Sequence, residues 1–108
     1  MGRWYPIELG FQYRAFAEDH PVQAGTGRTV EISSRALRIR LDDELPPQVS
    51  ALQLAIAWPA TLEGGTPLQW VVRGKPAWRA TGWIFVCMTG HEFRTASVRA
   101  RQAATACG

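Results

Sequence analysis

The sequence predicts an all-β fold: a small six-stranded antiparallel β-barrel made by one domain. Three observations predict it. Apolar and polar residues alternate in short runs, the period of a half-buried strand. Turn-forming residues separate those runs at close intervals, as in small sandwiches and barrels. Six such strands in 108 residues leave awkward edges, and closing the sheet into a barrel removes them. A chain of this length fits one domain and buries roughly 60–70% of the surface its unfolded form exposes, enough for a core without staples. With 46% hydrophobic and 19% charged residues, it belongs with globular rather than disordered chains.

The elements follow in order. "PIELGFQYRAF" places Ile7, Leu9, Phe11 and Tyr13 on one face and Glu8, Gly10, Gln12 and Arg14 on the other, and is the first strand. "AEDHPVQAGTG" is polar and turn-rich and reads as a loop. Residues 29–33 form the second strand, with Val30 and Ile32 inward. Residues 36–41 form the third, with Leu37, Ile39 and Leu41 facing in and Arg38 and Arg40 facing out. "DDELPPQ" is a connection, since Pro46-Pro47 excludes regular structure. In "VSALQLAIAW" the period of two puts Leu52, Leu54, Ile56 and Trp58 on one face, and Pro59 ends this fourth strand. "TPLQWVVRGKPAWRAT" is a long strand interrupted at Gly74 and Pro76, where a bulge and an edge are expected. "WIFVCMTGHEF" is apolar enough to read as a last strand buried on both faces. The barrel core then spans about 6–93 of the single domain 1–108. Residues 94–108 carry alanines and arginines at helical spacing and read as a short C-terminal helix or a fraying tail.

Several chemistries find no support in the residue pattern. The net charge is +3, a balance too mild to establish nucleic-acid binding, so nucleic acid is not the expected partner. Lys75 is the only lysine, and arginine suits paired bonds to phosphate or carboxylate. The two cysteines, Cys87 and Cys107, form no CxxC or Cys/His cluster, so no structural zinc site is expected, and Cys87 reads as a buried thiol. No run reaches the apolar length of a membrane span, so no membrane insertion is expected. The N-terminus lacks a secretory signal, and the expected location is the cytoplasm. His20 and His91 have no paired nucleophile or clustered carboxylate, so the chain is read as non-enzymatic, with no catalytic residue and no cofactor. Asp42-Asp43-Glu44 reads as a solvated turn rather than a cation site.

The stretch Glu31-Ile32-Ser33-Ser34-Arg35-Ala36, followed by "LRIRL", resembles the centre of a PilZ domain, the small β-barrel family of bacterial cyclic di-GMP receptors. In that family a strand leads into [D/N]-x-S-x-x-G and then an alternating strand. "WPATLEGGTPLQWVVRGKPAWRA" is similar to the two strands that follow in a common subgroup, and "HEFR" to the end of the last barrel strand. The resemblance covers roughly residues 3–93. It implies a ligand site with two halves: an R-x-x-x-R segment before the first strand, and the D/N-x-S-x-x-G corner on the barrel face. The sequence departs from both. Only Arg3 precedes the first strand, Glu31 is one methylene longer than the family's acid or amide, Ser33 matches, and Ala36 replaces glycine. A hydrogen bond to a charged group contributes about 1.5–3 kcal/mol, so a missing two-bond arginine costs about 3–6 kcal/mol, roughly a hundred- to ten-thousand-fold in affinity.

Arg3, Glu31, Ser33, Arg35, Ala36 and Arg38 are therefore the candidate ligand residues, with cyclic di-GMP the candidate ligand. Arg14 and Arg40 are further arginines that could project near Ser33. The plainer reading makes the same stretch a strand corner in which Ser33 bonds the local backbone. Trp58 and Trp70 fall on the inward parity and are assigned to the core, while Trp4 and Trp78 are the candidate partner surface. The expectation is a non-enzymatic bacterial signalling module of PilZ type, a protein-interaction adaptor with weak or no cyclic di-GMP binding and an unidentified protein partner. The alternatives are a receptor with an altered cyclic di-GMP site and a small nucleic-acid-binding barrel.

Overall fold

The structure is a computed structural model that describes residues 3–62 and 64–95. Its six strands are β1 (Gly10–Ala17), β2 (His20–Ile32), β3 (Ala36–Leu41), β4 (Ala51–Leu62), β5 (Thr66–Ala80) and β6 (Trp83–Thr95). They close into a barrel in the order β1-β2-β3-β6-β5-β4, and every pairing is antiparallel. The ring closes where β1 pairs with β4, from Phe11↔Ile56 to Phe16↔Ala51. The expected terminal helix lies outside the described residues, except that Arg94 and Thr95 belong to β6.

The inward parity of each strand fills the lumen. Phe11, Tyr13, Leu37, Ile39, Leu52, Leu54, Ile56, Val72 and Val86 are buried together with Trp70. Trp58 packs half-buried against this core. Ile7 and Leu9 share the face expected of them, but they belong to an N-terminal strap that precedes β1 rather than to the strand itself.

Four expectations are corrected. The stretch 17–27 is not a loop. A two-residue turn at Glu18 and Asp19, both in the left-handed region at φ 51° and 67°, joins β1 directly to β2, a backbone twist that suits a tight hairpin. Pro59 does not end β4. It sits in an irregular stretch between Trp58 and Thr61, beyond the last β1 partner, so its missing N–H removes no ladder bond on that side. β6 is not buried on both faces: Ile84 and Val86 face the core, while Phe85 is half-buried and Cys87 is exposed. Finally, Thr29 rather than Val30 points inward. Thr29 pairs with Ile39 and Glu31 with Arg38, leaving Val30 as the extra residue of a bulge.

The interruptions expected in β5 are present as register shifts at Arg73/Gly74 and Pro76/Trp78, and the strand continues through both. Gly74 is required by space. A Cβ there would lie 2.5 Å from the Cys87 carbonyl oxygen across the β5–β6 pair.

The two ends of the barrel are closed by different means. The β3–β4 connection crosses one end, where Leu45 and Val49 are buried. The Arg79 guanidinium holds it by donating to the carbonyls of Leu45, Pro46, Pro47 and Val49 at 2.9–3.4 Å. At the other end the strap is held by Thr29. Its hydroxyl donates to the Ile7 carbonyl at 2.6 Å and accepts from the Leu9 N–H at 2.8 Å. A two-bond bridge between Tyr5 and Ile32 continues the strap beside β2.

Thr29 is 0% exposed, so Thr29→Val strands the Leu9 N–H and the Ile7 carbonyl beside an apolar group. The expected loss of stability is about 1–3 kcal/mol, read from the urea unfolding midpoint. Thr29→Ser keeps both bonds and is expected to cost about 1 kcal/mol for the missing methyl.

Candidate functional site

The register of four strands draws one row of side chains across the outer wall. Glu31 on β2 pairs with Arg38 on β3, Arg38 with Phe85 on β6, and Phe85 with Trp78 on β5. Bulges bring both ends of this row to the outside. The extra Val30 lets Thr29 face the lumen while Glu31 faces out. On β5, Pro76 lies opposite the buried Val86 and Trp78 opposite Phe85, so Ala77 is the extra residue. That shift turns Trp78 outward and sends Arg79 inward to its four carbonyls. Without it the two side chains exchange faces, because successive residues of a strand point to opposite sides.

Arg38 is the centre of the row. Its Nη1 donates to Glu31 Oε1 at 2.7 Å. Its guanidinium carbon lies 5.0 Å from the Trp4 ring centre and 5.2 Å from that of Trp83, the range in which an aromatic face attracts a cation. Trp4, on the strap, also tilts against Phe85 at 5.8 Å. Trp83 meets Trp78 edge to face at 5.1 Å. Arg38 Nε is covered and makes no hydrogen bond among the described residues. The cation is thus paired with a carboxylate and flanked by two indoles, while its side chain stays partly exposed. Trp78 ends the row at 58% exposed. A shallow groove of about 830 Å³ opens beside Trp83, between the turn Asp42–Glu44 and residues 81–84.

The predicted ligand residues separate into two groups. Ser33 is committed to its own corner. Its hydroxyl donates to the Ala36 carbonyl and accepts from the Ala36 N–H, both at 3.1 Å, with a longer bond from the Arg35 N–H. Ala36 is buried and paired with Cys87. Glu31 spends its extra methylene reaching Arg38. Arg3 and Arg35 are exposed, and neither makes an ion pair among the described residues. Arg14 and Arg40 do not join them. Arg14 stands between Ala24 and Gln53 on the β2–β1–β4 side, and Arg40 lies opposite Arg28 further along the β2–β3 ladder.

Trp83 and Phe85 were missed as site residues because the run "WIFVCM" looks uniformly apolar. The signal lay in its alternation: Trp83, Phe85 and Cys87 share one parity, and Ile84 and Val86 the other. Among the described residues no group of three or more His, Cys, Asp or Glu is arranged to hold a metal ion, and no helix is long and apolar enough to cross a membrane. Compared with known proteins, the chain matches no family model, no curated protein and no solved structure.

The ion pair and the indoles contribute separately to this arrangement. Glu31→Ala is expected to lower stability by about 1 kcal/mol, the upper range for a partly exposed pair. Arg38→Ala loses the pair and both ring contacts and is expected to cost about 2 kcal/mol. Equal losses from the two substitutions, measured by urea unfolding followed through tryptophan fluorescence, would leave the rings no share.

Proposed function

We propose that this chain is a non-enzymatic, cytoplasmic signalling module of PilZ type that acts as a protein-interaction adaptor and binds cyclic di-GMP weakly or not at all. One observation carries the reading: Arg38, the arginine best placed on the barrel face, is already paired with Glu31 and flanked by Trp4 and Trp83. A doubly anionic nucleotide needs cations free to meet its phosphates. The Ser33 hydroxyl is likewise occupied within its own corner. What the wall offers instead is an exposed tryptophan in the same row as a paired, aromatic-flanked arginine. Tryptophan and arginine are enriched among the residues that dominate protein–protein affinity. The groove beside Trp83 gives a partner room for an extended segment. The PilZ assignment itself rests on the order of motifs along the chain and on the barrel topology.

A receptor with an altered site is the second reading, favoured by two exposed arginines without an ion pair among the described residues, Arg35 in the Ser33 corner and Arg3 on the strap. Titration calorimetry with cyclic di-GMP separates the two. No saturable heat is expected up to hundreds of micromolar. Micromolar binding abolished by Arg3→Ala or Arg35→Ala would replace the adaptor with the receptor. For a partner purified after affinity capture, Trp78→Ala is expected to weaken binding at least tenfold, as for an anchor contributing more than about 1.4 kcal/mol. Arg14→Ala, on another part of the wall, is expected to leave it unchanged.

A further inference from the structure

β6 outruns the barrel wall. Its ladder with β3 ends at Cys87, with one further bond from the Met88 N–H to the Arg35 carbonyl. On its other side it stays paired with β5 as far as Thr95. Residues 89–95 therefore present a strand edge that has no partner among the described residues. β4 is open in the same way on its β1 side after Ile56, but the two edges differ. The β4 edge is blunted by Pro59 and an irregular register, a usual protection against edge pairing. The β6 edge has no proline and keeps an even register from Gly90↔Arg73 to Thr95↔Leu68.

The two faces of that edge are unlike. On the inner face Phe93 is 51% exposed, stacked on Trp70 at 5.9 Å and edge-on to Trp58 at 5.3 Å. On the outer face Glu92 and Arg94 form a 2.9 Å ion pair, both about half exposed. The edge thus reads acid, aromatic, base.

We propose that this edge joins two copies of the chain, β6 to β6, antiparallel about a two-fold axis through Phe93. That register sets Glu92 opposite Arg94 of the partner subunit, and Arg94 opposite Glu92 of the partner subunit. It also brings the two Phe93 rings onto one face. Sliding the strands by a residue pair in either direction sets carboxylate against carboxylate or guanidinium against guanidinium, which is unfavourable directly across a ladder. A shift that mixes parities puts Phe93 on the charged face. The charge order therefore selects one register, and a two-fold interface requires that kind of self-complementarity. The pairing extends β4–β5–β6 of each copy into one continuous sheet and satisfies the open backbone groups, which is how an edge strand gains affinity in β-augmentation.

Sedimentation of the full chain from micromolar to hundreds of micromolar tests this. A monomer–dimer equilibrium is expected. Glu92→Arg or Arg94→Glu alone should weaken the dimer about tenfold or more, because each creates two like-charge pairs across the axis. The double reversal should restore it. In a Cys87→Ser, Cys107→Ser background, Phe93→Cys should form a disulfide-linked dimer on mild oxidation, and His91→Cys, which faces Thr95 of the partner subunit, should not. Circular dichroism of each variant separates loss of the dimer from loss of the barrel. A chain monomeric throughout this range, or a dimer indifferent to the single reversals, overturns the proposal.

Discussion

When β1 pairs with β4 the sheet returns on itself, and each strand must then present one parity to a lumen that is already full. Residues such as Leu37, Ile39, Leu54, Ile56 and Val72 are wholly buried because neighbours on both sides hold them there. A side chain of the wrong parity would leave a void inside and an apolar group outside. The chain meets this constraint with local phase changes. Bulges at Val30 and Ala77 each reset which residues face in, and each re-aims a side chain that matters elsewhere.

The phase changes connect closure to the outer wall. Val30 turns Thr29 inward, where it anchors the strap, and keeps Glu31 outward beside Arg38. Ala77 turns Arg79 inward, where it holds the β3–β4 connection, and leaves Trp78 outward at the end of the row. The devices that seal the two barrel ends and those that build the outer row are thus the same bulges. The strap brings Trp4 onto Arg38 only because Thr29 and the Tyr5–Ile32 bridge hold it beside β2.

The resulting surface is chemically quiet at the corner and aromatic on the wall. Ser33 closes its turn, Ala36 is buried in the ladder, and Glu31 pairs with Arg38. With Arg38 already paired to Glu31, this wall keeps one fewer free cation for a small anion, while Trp78 stays exposed. The open β6 edge lies beyond the β3 ladder and offers a different mode of contact, through backbone groups and a charge pattern rather than through tryptophan.

Much of the architecture was legible in the residues alone. The alternation of Phe11, Tyr13 and Ala15, of Leu37 and Ile39, and of Leu52, Leu54 and Ile56 marks three inner faces, and six such runs in so short a chain call for closure. Gly74 and Pro76 announced irregularity in β5, and Trp78 announced itself as exposed. These are local properties, carried by a period of two within a few residues. What the tertiary structure alone decided is every matter of phase and partner. Whether Val30 or Thr29 faces the lumen depends on Ile39 across the ladder, and Cys87 is exposed although its run looks buried. Arg38 belongs to Glu31, Trp4 and Trp83 because three strands and the strap converge on it. Cross-strand register is set by residues far apart in the chain, and no stretch read by itself contains the position of its neighbour.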